Sequence, residues 1–447
     1  MIRTCTVLVL SLMIVGSSGR AHSFSRPPAE VIVTMDGRLN YPYISSNGGP
    51  AYLQISLATS DVRLTDRSPL NVAVVLDRSG SMGDQGKIEY AKAALYKLID
   101  QLASDDILSI VIYDDIVDVL RRAQRVGNKD ELKRIVDEVY PRNATNLGGG
   151  MVEGFRQVKR FAGKGYTNRV ILLSDGLANR GTTDPSELNR IARRYRTESI
   201  SLTAMGVGLD YNENLMVGLS ESGGGNYYFI ESPSSLASIM NRELHTISSV
   251  VAQNAFIELK LGRGVRIRDI VGCEYKMENG RYIIQVGDLY ANECREFTVN
   301  LDIPEGSGSL VAARGKLKYD RSIVRVGRVE GFSATVQYTR DAAVIEKNRD
   351  LEAQAQADVA ASTRKVENAM RALDEGRRED AEAELKEARA FILSSPAASV
   401  GGEVGAVIKQ QEEKLRGYAD SLADDKDGAQ RAKKAIQYDN YRTQKKR

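Results

Sequence analysis

Asn71-Val72-Ala73-Val74-Val75-Leu76-Asp77-Arg78-Ser79-Gly80-Ser81-Met82 places one carboxylate and two hydroxyls, at alternate positions, directly behind five consecutive apolar residues. An apolar run of that length, free of polar alternation, suits a strand buried on both faces of a parallel sheet. Ligands of such sheets gather beyond the carboxyl ends of the strands, so Asp77, Ser79 and Ser81 are expected to project from that edge. They offer only hard oxygen donors, which suit Mg2+ or another hard divalent ion better than zinc or copper.

Two further segments supply what this start lacks. Asn143-Ala144-Thr145-Asn146-Leu147-Gly148-Gly149-Gly150 puts a hydroxyl in a loop that opens a helix, and Arg169-Val170-Ile171-Leu172-Leu173-Ser174-Asp175-Gly176 ends a second apolar strand on a carboxylate. The constellation resembles the metal-ion-dependent adhesion site of von Willebrand factor A domains. That family's pattern is Asp-x-Ser-x-Ser, then Thr, then Asp, matched here by Asp77, Ser79, Ser81, Thr145 and Asp175. The first motif alone would be weak; all five residues, in order and in context, are specific. The resemblance implies a divalent cation, Mg2+ or else Mn2+ or Ca2+, bound directly by the three hydroxyls and directly or through water by the two aspartates. It also implies an open coordination position that accepts an Asp or Glu of a protein partner.

The surrounding pattern agrees with that fold. Helical periodicity over 87–102, 130–139, 151–161, 185–195 and 235–251 alternates with strand-like runs over 107–113, 170–173, 200–207 and 227–230. Such alternation predicts a doubly wound, Rossmann-like α/β domain, here spanning 69–253. Gly206-Val207-Gly208 and Gly223-Gly224-Gly225 are expected to be turns. Other chemistries fail on inspection. A phosphate-binding loop counted back from Gly86-Lys87 has Ser81 in place of its first glycine and Ile88 in place of its hydroxyl. A nucleophile elbow needs glycine two residues to either side of its serine, and Ser79 has Asp77 and Ser81 there. The only histidines are His22 and His245, and no His-Glu-x-x-His occurs, so a zinc peptidase of that type is excluded. A metal-dependent hydrolase or transferase would need a base, for which Asp114, Asp115 and Glu153 are the nearest candidates.

Strand-like segments flank the α/β unit over 22–68 and 254–340 and are expected to form one β-sandwich into which the A domain is inserted. Gly287-Asp288-Leu289 followed by Cys294-Arg295-Glu296-Phe297-Thr298-Val299 resembles the β-domain of bacterial homologues of calcium-activated chloride channel subunits. The channel function does not transfer, because no stretch beyond the leader is long and apolar enough to span a bilayer. From 341 to 447 the composition shifts to Ala, Glu, Arg, Lys and Asp in helical periodicity, with Val359, Val366, Met370 and Leu373 on one face and Gly376 as a stop. The tail residues Arg442, Lys445, Lys446 and Arg447 form a basic end with potential for peripheral contact with envelope polymers.

Residues 1–21 read as a secretory signal peptide, with Arg3 before an apolar core over 5–15 and small residues ahead of His22. The protein is thus expected in the periplasm or outside the cell. Removing the leader takes Cys5 with it and leaves Cys273 and Cys294, for which a disulfide is the default in an oxidising compartment. Met277-Glu278-Asn279-Gly280-Arg281 is a strong hairpin signal that would bring the two cysteines toward each other. Lys and Arg total 62 against 59 Asp and Glu, a net charge of +3 that leaves no excess for nucleic acid. Asn143-Ala144-Thr145 matches a glycosylation sequon, discounted because a glycan would obstruct the proposed ligand Thr145.

Overall fold

A computed structural model of the chain describes residues 33–445 except 61–67, 143, 164, 320, 323–330 and 423–425. The leader and the sequon asparagine lie outside the described residues. The opening run is the strand Leu70–Asp77, buried at every position as its unbroken apolar sequence requires. It sits inside a six-stranded sheet in the order Val117–Arg125, Ile107–Tyr113, Leu70–Asp77, Thr167–Ser174, Ser201–Val207, Gly224–Ile230. All neighbours are parallel except the first pair, an antiparallel hairpin.

Alternation along one strand divides the core. Leu70, Val72, Val74 and Leu76 enter a cluster with Ala91, Leu95, Leu132, Met240 and Leu244, from helices Lys87–Gln101, Lys129–Asp137 and Leu236–Ser248. Ala73 and Val75 enter another with Met151, Phe155, Leu188 and Leu219, from helices Leu147–Lys159, Pro185–Arg196 and Glu213–Gly223. The sheet is therefore doubly wound, as the sequence predicts. Two local expectations change, and one strand lies where none was expected. Leu147–Lys159 begins ahead of the predicted 151, capped by Asn146, whose side chain accepts from Gly149 N–H. Val117–Arg125 is a half-exposed antiparallel edge, so it lacks the apolar signature of its neighbours. Gly223-Gly224-Gly225 is no loop: Gly223 ends a helix and Gly224, at φ +70°, starts the edge strand. A methyl on Gly225 would lie 2.1 Å from the Leu202 carbonyl oxygen, so strand pairing demands glycine there.

Strands from both sides of the α/β unit pair with each other. Gly49–Thr59 runs antiparallel to Cys294–Ile303 in a four-stranded sheet with Val33–Leu39 and Arg266–Val271. A second, seven-stranded sheet orders Tyr275–Glu278, Arg281–Tyr290, Val250–Leu261, Ser309–Lys318, Gly331–Thr339 and Tyr43–Ser45, with Arg321–Ser322 beside Val250–Leu261. Leu53, Ile55 and Leu301 from the first sheet share one core with Ile257, Ile284 and Ala313 from the second.

The expected disulfide is absent: Cys273 and Cys294 are not bonded to each other. The hairpin forms as its sequence directs, with Asn279 and Gly280 at φ +49° and +72° and Glu278 opposite Arg281. Its strands, however, belong to the seven-stranded sheet, whereas Cys294 opens a strand of the other sheet, opposite Ala58. Arg266–Val271 pairs along that strand only as far as Val271 opposite Thr298, and the chain then leaves for the other sheet before reaching Cys294. Burial pushes the Cys273 thiol up to about 12, away from the thiolate form.

The longer C-terminal helices are Leu351–Asp374, Arg378–Leu393, Gly402–Ser421 and Lys426–Lys445, and the first two are separated by Gly376 at φ +75°. Among the described residues no helix is long and apolar enough to cross a membrane. The last helix packs along the edge strand Gly224–Ile230, where the rings of Tyr438 and Tyr441 stand edge-on to Tyr227 at 5.7 and 5.6 Å. Lys445 is no loose basic tail: its Nζ donates to the Gly272 carbonyl at 3.1 Å and pairs with Glu221 at 3.2 Å.

Candidate metal centre

The sheet brings Asp77, Ser79, Ser81, Thr145 and Asp175 together beyond the carboxyl ends of its two central strands. Asp77 is the last residue of Leu70–Asp77, and its Oδ1 accepts the Ser79 N–H at 2.8 Å, which turns the chain so that Ser79 and Ser81 face the same side. The two hydroxyls lie 3.2 Å apart, and Ser81 Oγ donates to Asp175 Oδ1 at 2.9 Å. A methyl on Gly176 would lie 3.5 Å from Ser81 Oγ and 3.8 Å from Thr145 Oγ1, so the third hydroxyl borders the same small space. Thr145 is fixed through its backbone: its N–H donates to Asn179 Oδ1 at 2.9 Å and its carbonyl accepts from Asn179 and Arg180. Among the described residues its hydroxyl has no hydrogen-bond partner.

Burial shapes access. Asp77 and Asp175 are fully buried, Ser79 and Thr145 nearly so, and Ser81 is half-buried, which makes it the most accessible of the five. Two partners that sequence reading missed hold Asp77 Oδ2: Ser174 Oγ donates at 2.8 Å and the Tyr113 hydroxyl at 3.2 Å. Burial raises the Asp77 carboxyl to about 6, against the hydrogen bonds from Ser79 and with the nearby charge of Asp175 adding to the rise. Lys87 was also missed, because a lysine at the start of an amphipathic stretch reads as solvated. It is buried, and its Nζ donates to Asp175 Oδ2 at 2.7 Å.

The donor set fits a hard divalent cation. Three neutral hydroxyls, one of them without a partner among the described residues, lie with two carboxylates in one small region, and an ammonium holds Oδ2 of Asp175. The candidate bases are engaged or remote. Asp114 is buried against Arg78 at 2.9 Å and accepts the Ile116 N–H, and Glu153 accepts from Gln157 at 2.7 Å on its own helix. Asp115 is exposed. His245 lies in the last turn of Leu236–Ser248 and is exposed.

The fold that carries this geometry has known relatives. Residues 71–242 match the family model of the von Willebrand factor type A domain. The chain is 26% identical over 209 residues to the protein YfbK of Escherichia coli (strain K12), an alignment covering 46% of this chain and 36% of that one. It is 26% identical over 283 residues to sll0103 of Synechocystis sp., covering 60% and 66%. The matches thus span less than two thirds of these curated relatives. A solved von Willebrand factor type A structure from Catenulispora acidiphila superposes with a TM-score of 0.71 at 16% identity, over 94% of this chain and 98% of that one. At that identity the likeness is one of fold, and its reach includes the flanking sheets and the C-terminal helices. The α/β unit of this chain is a von Willebrand factor type A domain.

Proposed function

We propose that this protein is a metal-dependent protein-binding scaffold of the cell envelope or secreted space, which coordinates an acidic side chain of a partner through a divalent cation. The observation that carries this reading is the convergence of Asp77, Ser79, Ser81, Thr145 and Asp175 beyond the ends of the two central strands, with Ser81 the most accessible of the five. When bound, Mg2+, or Mn2+ or Ca2+ in its place, supplies an electrophilic position that a carboxylate can fill. The protein's own residues do the rest. Tyr113 and Ser174 orient Asp77, the Asn179 side chain fixes Thr145, and Ser81 faces the incoming ligand.

In this reading the A domain, over 69–253, is inserted into a β-sandwich formed by 22–68 and 254–340, with 341–447 as a helical region and 1–21 as a cleaved leader. The pairing of Gly49–Thr59 with Cys294–Ile303 and the shared core of the two sheets support the insertion. A binding role is favoured over hydrolysis or group transfer because two of the three candidate bases, Asp114 and Glu153, are engaged in an ion pair and a hydrogen bond, which leaves the exposed Asp115 of the three.

The test is affinity capture from envelope extract with the mature protein in Mg2+ and in EDTA, with Asp77→Ala alongside. Partners lost both on chelation and in the variant are the expected result. Partners indifferent to both would move the binding surface to the sheets or the helices and end the metal-centred reading.

A further inference from the structure

Lys87 stands where a cation is doubly unfavourable. It is the first residue of helix Lys87–Gln101, where the helix dipole repels positive charge, and its side chain is only 5% exposed. The turn that delivers it passes through Gln85 and Gly86 at φ +52° and +69°, an uncommon conformation for a residue such as glutamine. Gly208 covers its stem: a methyl there would sit 3.4 Å from Cε and 3.6 Å from Nζ. Among the described residues its ammonium has one partner, Asp175 Oδ2. The other oxygen of that carboxylate accepts from Ser81 and faces the hydroxyl cluster. The lysine thus grips Asp175 from behind and leaves its front to the site.

Charge counting gives the consequence. Asp77 and Asp175 ionised, with Lys87, sum to minus one; with a divalent ion added, the same groups sum to plus one. We propose that Lys87 is the resident counter-cation of the site: it holds Asp175 in the metal-free protein, weakens divalent-ion binding, and leaves the loaded site with a surplus positive charge that an anionic ligand neutralises. Metal and carboxylate then bind with positive coupling, each raising affinity for the other. The proposal rests on reading the five residues as a metal centre.

The experiment uses the full chain, as wild type, Lys87→Met and Lys87→Gln, with thermal unfolding in EDTA and in Mg2+ and with calorimetric Mn2+ titration. Both variants are expected to lose more thermal stability in EDTA than in Mg2+, and to bind Mn2+ about tenfold more tightly or better, as removal of one nearby unit charge predicts. Lys87→Gln keeps a hydrogen-bond donor, so its agreement with Lys87→Met assigns the effect to charge. Acetate at constant ionic strength should tighten Mn2+ binding to the wild type more than to the variants. Equal destabilisation in both media with unchanged Mn2+ affinity would make Lys87 a structural ion pair and overturn the proposal, as would an equal acetate effect in all three proteins. A wild type that takes up no Mn2+ would defeat the metal-centre reading itself; a wild type that binds, beside variants that bind equally, defeats only this inference.

Discussion

Gly154 shows how a single residue sets the distance between layers. A methyl there would lie 2.4 Å from Val75 Cγ2, and one on Gly150 would lie 2.6 Å from the Tyr113 ring, so both glycines let helix Leu147–Lys159 settle on the strands that carry the site. Gly154→Ala should therefore destabilise the protein by about 1–3 kcal/mol despite the better helix propensity of alanine, a loss read from denaturant unfolding; a gain in stability would contradict the close approach. Arg169 is a second case. Fully buried in strand Thr167–Ser174, its guanidinium donates to Asp288 at 3.0 Å and to the Tyr290 hydroxyl at 3.2 Å. Arg169→Met leaves the Asp288 carboxylate without its guanidinium partner and should cost about 3–5 kcal/mol; a loss under 1 kcal/mol would mean that its remaining donors or water suffice. At this scale the sequence disclosed the five residues that converge and hid their supports. Asp77, Ser79, Ser81, Thr145 and Asp175 were legible because spacing and strand context mark them. Lys87, Tyr113, Ser174 and Arg169 were not, because each acts through a partner distant in sequence. The cysteine pair misled for the same reason, since which sheet each strand joins is decided by tertiary pairing.

Strands such as Leu70–Asp77, Ile107–Tyr113 and Thr167–Ser174 were legible because burial on both faces leaves an unbroken apolar run. Val117–Arg125 and Glu213–Gly223 escaped, the first as a polar edge and the second because its closing glycines resemble a loop. The last helix was legible as a helix but not in its docking. Lys434 Nζ donates to the Tyr211 carbonyl at 2.8 Å and to Glu213 at 2.6 Å, tying Lys426–Lys445 to the A domain. Burial alone would raise the Glu213 carboxyl, but hydrogen bonds from Lys433 and Lys434 outweigh it and hold the group below its ordinary value. A depressed carboxylate stabilises the folded state above its ordinary value of 4.5 and loses that contribution as pH falls through the lower folded value. Acidification below about pH 4.5 should thus loosen the last helix. The measurement is near-ultraviolet circular dichroism of the tyrosine cluster Tyr227, Tyr438 and Tyr441, with Glu213→Gln expected to show a weaker signal at neutral pH and a flatter acid response. A wild-type signal unchanged down to pH 3 would contradict the role given to Glu213.

Across the whole molecule, a buried polar network joins the A domain to the sheets at the end opposite the candidate metal centre. Asp288 accepts from Arg169 and Ser201, and its Oδ1 accepts the Asn254 N–H, while Glu243 on Leu236–Ser248 accepts from Thr203, Asn226 and Tyr228. The C-terminal helices add a second tie, with Arg364 pairing Asp269 at 3.0 Å and Asn440 donating to the Thr363 carbonyl. Parts joined by buried charges should unfold together, so calorimetry should record one cooperative transition; two separated transitions would show the A domain to be an independent unit. Such a frame suits a scaffold whose site is prearranged. The most direct test of that account is calorimetric titration of the purified protein with Mg2+, beside Asp77→Asn and Thr145→Ala. The account predicts saturable binding at a single site in the wild type and its loss in both variants, each still folded by circular dichroism. No binding by the wild type, or binding that survives both substitutions, would contradict it.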